Sequence, residues 1–306
     1  MQQITLTANG LSHPALKMGE GKRLALLLHG FPDSPRTWSR LMPRLAAQGY
    51  TCIAPYMRGY SQLNTPPELL TDSSATIQIA DLAADAAALV EAAGFQDALL
   101  IGHDWGAITA YAAANLAPDR FHTLVTLSVP HLGTFLGNLW KHPRQTVQSW
   151  YILFFQLRFG IPERRVLQGH LRFIDELWQK WSPDLASDNE ALAAAKEILA
   201  DEQLLHNALA YYRGMLTPSI DEFARYNESR ELSFAKIQQP TLTLTGSHDG
   251  CIMPEMFEGM HMSVAAEFTL RILPLAGHFL TLESDERIAA EIVKFTESLH
   301  TMEKAI

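Results

Sequence analysis

Along roughly the first 130 residues, short apolar runs alternate with longer stretches whose apolar positions recur at helical spacing. Runs of four to six residues bounded by turn formers predict strands over 24–28, 51–54, 98–101 and 123–128. The intervening segments predict helices over 37–48, 75–93 and 105–117. Continuously apolar strands alternating with helices are the signature of a parallel sheet covered on both faces. The pattern resumes late in the chain, with strands expected over 241–245 and 267–273 and a helix over 284–299. Between about 133 and 230 the texture changes. No strand-like run occurs there, and helix-length segments such as 145–159 and 189–199 carry Trp, Phe, Leu and Ala. Four of the six tryptophans, Trp140, Trp150, Trp178 and Trp181, lie in this stretch. The expected organisation is therefore an α/β core built from 1–132 and 231–306, with a helical cap inserted as 133–230.

One strand-to-helix junction carries unusual chemistry. Gly102-His103-Asp104-Trp105-Gly106 follows an apolar run and opens a helical one, the context of a nucleophile elbow, but the central residue is aspartate rather than serine. The flanking glycines leave room for a strained turn. A carboxylate can displace a leaving group at saturated carbon and form an ester, whose carbonyl water can then attack. A serine would be left as a stable ether. The junction thus predicts ring opening or dehalogenation rather than ester or peptide cleavage.

In such a fold the acid and the base follow late strands, in that order. Ser247-His248-Asp249-Gly250 follows the strand at 241–245, whereas Val129-Pro130-His131 after 123–128 offers no carboxylate, so Asp249 is the expected acid. Pro274-Leu275-Ala276-Gly277-His278 follows the last strand and makes His278 the expected base. His103 and His248 are read as structural neighbours. His29-Gly30-Phe31-Pro32 follows the first long apolar run, where the backbone N–H of Phe31, with that of Trp105, can hold a developing oxyanion.

Together these residues resemble the α/β-hydrolase fold family, and within it the epoxide hydrolases; the resemblance runs over essentially the whole chain. It implies a mostly parallel central sheet flanked by helices and bearing an α-helical cap. It also gives the cap two tyrosines. Trp150-Tyr151-Ile152-Leu153-Phe154-Phe155-Gln156 is similar to the first cap segment of that family, and Tyr211-Tyr212-Arg213-Gly214-Met215 to the second, whose tyrosine immediately before arginine contacts the epoxide oxygen. That implies Tyr151 and Tyr212. The stretch Tyr56-Met57-Arg58-Gly59-Tyr60-Ser61 departs from many relatives, which carry an aspartate near Tyr56 and a glycine near Ser61. The implied substrates are a small apolar epoxide and water, with no cofactor and no metal. The expected pocket residues are Phe31, Trp105, Trp150, Phe154 and Phe155.

Haloalkane dehalogenases share the aspartate elbow, and a tryptophan at position 105 suits them equally. Phe31, with no side-chain donor for a halide, weighs toward the epoxide. Fluoroacetate dehalogenases resemble the chain too, but carry arginines where Trp105 and Ile108 stand. A non-catalytic ligand-binding member of the fold would usually have lost one of the residues retained here.

Composition narrows the setting. With 47% hydrophobic and 19% charged residues the chain is globular, and a net charge of −9 disfavours nucleic acid or an anionic membrane as partner. Two cysteines, Cys52 and Cys251, make no disulfide framework, and the first residues lack a signal-peptide pattern. The longest apolar runs are too short to span a bilayer. A cytoplasmic enzyme is expected.

Overall fold

A computed structural model describes residues 1–186, 189–218 and 220–303. Eight strands form one sheet: β1 (Gln2–Ala8), β2 (Leu11–Met18), β3 (Arg23–Leu28), β4 (Tyr50–Pro55), β5 (Ala98–His103), β6 (Phe121–Leu127), β7 (Thr241–Gly246) and β8 (Phe268–Leu273). Their order is β1-β2-β4-β3-β5-β6-β7-β8. From β4 to β8 all neighbours are parallel, and β1 and β2 add an antiparallel edge.

The apolar runs are continuous because both faces of the sheet are buried. Along β3, Leu24, Leu26 and Leu28 enter one apolar cluster, while Ala25 and Leu27 enter the other. In β5, Leu100 goes to the first cluster and Leu99 and Ile101 to the second. Helices Ile79–Ala92 and Trp105–Leu116 cover the first face. Helices Leu41–Ala47 and Asp285–Glu303 cover the second.

Several expectations shift. The first strands are β1 and β2, a hairpin not anticipated from the apolar runs, turning at Asn9 (φ 47°) and Gly10 (φ 77°). Strand 1 alternates polar and half-buried residues, so it carries little apolar signal. The helix expected over 75–93 begins only at Ile79, and the one over 37–48 divides into a short 3-10 turn and Leu41–Ala47.

The segment between β6 and β7 is helical throughout its described regular elements. The single helix expected over 145–159 is instead two short ones, Pro143–Gln148 and Trp150–Phe154, broken at Ser149, whose ψ of 13° leaves the helical region. A longer helix, Ile161–Trp181, follows and is interrupted by non-helical backbone at Gln168, Gly169, His170 and Leu171. Helices Glu190–Leu199 and Glu202–Leu216 come next, both capped by a side chain, Asn189 and Asp201. Helix Phe223–Phe234 then lies on Ile79–Ala92 and Trp105–Leu116, and residue 230 falls inside it. Among the described residues no helix is long and apolar enough to cross a membrane.

The turn after β5 needs small residues. A Cβ on Gly106 would sit 2.0 Å from the Leu28 carbonyl oxygen, so helix Trp105–Leu116 can approach β3 only with glycine there. Gly106→Ala should therefore cost about 3 kcal/mol or more of stability, because the obstacle is backbone. Urea unfolding of the variant beside the natural chain measures it.

Candidate active site

Parallel strands deliver their following loops to a common edge of the sheet, and the candidate residues all come from those loops. Asp104 follows β5, Asp249 follows β7 and His278 follows β8. Asp104 occupies φ 53°, ψ −117°, an unfavourable region for a residue with a Cβ. The turn presents its carboxylate away from the backbone ladder. Oδ1 accepts the Phe31 N–H at 2.8 Å, and Oδ2 lies 3.6 Å from His278 Nε2. Trp105, the first helical residue, has no acceptor for its N–H within its own helix.

His278 is fixed from all sides. Its Nδ1 donates to Asp249 Oδ2 at 2.9 Å. Asp249 Oδ1 accepts the N–H groups of Cys251 and Ile252 at 2.8 and 2.9 Å. The His278 backbone N–H donates to the Trp181 carbonyl at 2.9 Å, and its own carbonyl accepts Ser128 Oγ at 2.7 Å and His103 Nε2 at 2.9 Å. Trp181 also packs edge-on against the imidazole, with centroids 5.2 Å apart. Helix Ile161–Trp181 thus helps set the loop that carries His278. His103 holds the loop backbone, while His248 pairs with Asp184 at the surface, 3.0 Å away.

Electrostatics join the three groups. Burial alone would lower the His278 pKa, but the Asp249 and Asp104 carboxylates outweigh it and raise it to about 10. Burial would raise the Asp104 pKa, and the closeness and attraction of the His278 ring overcome that and lower it. The raised His278 pKa and the lowered Asp104 pKa both favour an imidazolium beside an ionised Asp104. His278 contributes stability that is full below its ordinary 6.5 and lost as pH rises through about 10. Asp104 contributes stability that is present above its ordinary 3.8 and lost on acidification. Removing one carboxylate must weaken the hold on the proton. In Asp104→Asn, the His278 ring should titrate at lower pH than in the natural chain, as read by imidazole NMR. An unchanged titration would show that Asp104 does not help hold the proton.

Above Asp104 lies a cavity of about 450 Å³, lined by Asp104, Trp105, Tyr151, Tyr212 and Ile252 among others. Tyr151 and Tyr212, from two different helices, have ring centroids 6.0 Å apart. Burial pushes both phenols well above 10, and the nearby Asp104 charge adds to this, so both keep their protons. The Trp105 side chain, packed edge-on against the Tyr212 ring, pulls the other way. Neighbouring Tyr211 turns aside and donates to the Arg58 carbonyl at 2.6 Å.

The expected pocket needs correction. Trp105 lines the cavity, but Phe31, Trp150, Phe154 and Phe155 are not among its walls. Phe31 and Phe155 are fully buried and pack edge-on against each other and beneath Tyr212. Phe154 packs on Phe173, and Trp150 is 45% exposed on the outer side. Aromatic content signalled burial there, not which side of the helix meets the cavity. A further contact was not anticipated: the Tyr151 hydroxyl lies 3.3 Å from Cys251 Sγ, two residues beyond Asp249. The pairing joins positions 100 residues apart, which local sequence cannot show.

The model of the alpha/beta hydrolase fold family matches residues 26–285, and the chain belongs to that family. Its relatives include an epoxide hydrolase of Caballeronia sordidicola, 27% identical over 98% of this chain and 94% of that protein. Epoxide hydrolase 3 of Xenopus tropicalis is 28% identical over 93% of this chain and 74% of its own length. A solved structure of a putative epoxide hydrolase from Klebsiella pneumoniae superposes with a TM-score of 0.79, at 24% identity, covering 96% of this chain and 97% of that one.

Proposed function

We propose that the protein is an epoxide hydrolase that converts an apolar epoxide to a 1,2-diol through an ester on Asp104. The carrying observation is convergence: two phenols share one cavity with a carboxylate held between a backbone donor and the His278 imidazole. In the first step Asp104 Oδ2 attacks a ring carbon and the C–O bond of the ring breaks. The developing alkoxide accepts hydrogen bonds from Tyr151 and Tyr212, one of which transfers its proton. Asp104 is then a neutral ester, and His278 has lost one of the charges that kept it protonated.

In the second step the His278 proton has passed to the tyrosinate left by ring opening, and the neutral imidazole, oriented by Asp249, takes a proton from water as the water attacks the ester carbonyl. The oxyanion forms on Oδ1, where Phe31 N–H already donates and where the free N–H of Trp105 is the second donor. Collapse breaks the bond between the carbonyl carbon and Oδ2, and the leaving oxygen takes the remaining proton of the water-derived hydroxyl, which releases the diol and restores the carboxylate. The segment 133–230 is read as a cap that supplies both tyrosines and, through Trp181, the seat of the base loop.

The test is a paired screen of styrene-type and alkyl epoxides with diol detection, run beside haloalkanes with halide detection. Diol formation without halide release is expected. Halide release without diol formation would transfer the same Asp104, Asp249 and His278 set to a dehalogenase.

A further inference from the structure

We propose that the loop after β7 serves both steps of the reaction. Asp249 steadies His278 for ester hydrolysis, and the Cys251 thiol supports the Tyr151 oxygen, so that Tyr151 can give its proton to the opening ring. This rests on the epoxide-opening reading of Asp104.

The loop is held rigidly enough to do so. Every backbone N–H from Asp249 to Met253 has an acceptor: Asp249 donates to the Gly246 carbonyl, Gly250 to that of Trp181, Cys251 and Ile252 to Asp249 Oδ1, and Met253 to Gln145 Oε1. A Cβ on Gly250 would lie 2.0 Å from the Lys180 carbonyl oxygen, so the loop seats closely on helix Ile161–Trp181. Gln145, fully buried on helix Pro143–Gln148, grips the far end twice. Its amide nitrogen donates to the Cys251 carbonyl at 2.8 Å, and its oxygen accepts the Met253 N–H at 2.8 Å. Tyr151 follows on the next helix, just past the break at Ser149. One clamp therefore fixes both Cys251 and the segment that carries Tyr151.

The contact it holds is the Tyr151 hydroxyl, 3.3 Å from Cys251 Sγ. A thiolate there would keep the phenol protonated, by its charge and by accepting the O–H. Burial, with the Asp249 and Asp104 charges, instead pushes the thiol well above 9, so the sulfur keeps its proton and is a donor. A phenol that donates to a ligand turns its O–H into the cavity and leaves its oxygen lone pairs to the S–H. As the ring C–O bond breaks, its electron pair goes to the ring oxygen, which takes the Tyr151 proton. The charge then rests on the phenolate oxygen, where the thiol donates and retains its own proton until the His278 proton arrives. A hydrogen bond to an anion is worth more than one to a neutral group, so this weak donor acts chiefly during ring opening. Ile252 lines the cavity and Cys251 does not, which makes Cys251 a positioning residue acting through Tyr151.

The experiment follows styrene oxide opening by rapid mixing in Cys251→Ala and Cys251→Ser, alone and combined with each tyrosine change. Cys251→Ala should slow ring opening about tenfold, the scale of a hydrogen bond to a developing anion, and leave ester hydrolysis little changed. Serine keeps a donor, so Cys251→Ser should recover most of the rate. The loss should vanish in Tyr151→Phe, which has no oxygen to support, and persist in Tyr212→Phe. An equal loss in both backgrounds would reveal a general disturbance of the cavity and overturn the proposal, as would an unchanged rate in Cys251→Ala. Infrared spectroscopy reads the contact without the chemistry. The chain has two thiols, Cys52 and Cys251, so the Cys251→Ala difference spectrum assigns the band. The Cys251 S–H stretch should rise in frequency in Tyr151→Phe, and a band that stays in place overturns the donation. A band that moves in a chain opening no epoxide keeps the donation and sinks the Asp104 reading instead.

Discussion

Asp104→Ala should reduce epoxide turnover by about 100,000-fold or more, the scale on which removal of a covalent nucleophile acts. The loss should fall on kcat, with urea unfolding still cooperative. The carboxylate has two partners, the Phe31 N–H and His278, and neither is part of the sheet ladder. Both the oxyanion donor and the base survive the change, but with no ester formed neither has a reaction to assist. Residual turnover within about tenfold of the natural chain would mean that water, not Asp104, attacks the ring.

The second large effect concerns the leaving oxygen. Tyr151→Phe and Tyr212→Phe should each slow ring opening by about 10- to 100-fold, and the double variant by about 10,000-fold. One remaining phenol can still donate to the oxygen, whereas the double variant expels a bare alkoxide into an apolar cavity. Rapid-mixing kinetics should place the whole loss in ester formation, with hydrolysis of a preformed ester little changed. A double variant that opens epoxides at the natural rate would remove the phenols from the mechanism. Cys251 belongs to the same setting, because its sulfur is the atom that meets the Tyr151 hydroxyl.

The parts of this site legible in the sequence are those determined locally. Gly102 and Gly106 bracket Asp104 within five residues, and a strand-turn-helix junction was readable from apolar spacing alone. Asp249 and His278 could be placed because a parallel sheet puts loop after loop on one edge, so chain order substitutes for distance. The Asn9-Gly10 hairpin was also present as a strong local turn signal, since both residues adopt positive φ, but the apolar runs passed over it.

The helical segment between β6 and β7 resisted for physical reasons. Around the expected pocket residues its helices are short or interrupted, as at Ser149 and at Gln168 to Leu171, so a single period does not hold long enough there to orient a face. Phe154 and Phe155 are adjacent, yet Phe155 is buried against Phe31 while Phe154 packs outward on Phe173. Helix Phe223–Phe234 shows the converse. Its inward stripe is polar, so hydrophobic patterning could not mark it as a cavity wall.

The covalent ester is the central claim, and His278→Gln isolates it. Glutamine retains a side chain near Asp104 but cannot take a proton from water, so the first step proceeds and the second stops. After exposure to styrene oxide, intact mass spectrometry should show the protein heavier by one whole epoxide, and digestion should place the addition on Asp104. Protein of unchanged mass, despite demonstrated binding of the epoxide, would contradict covalent catalysis.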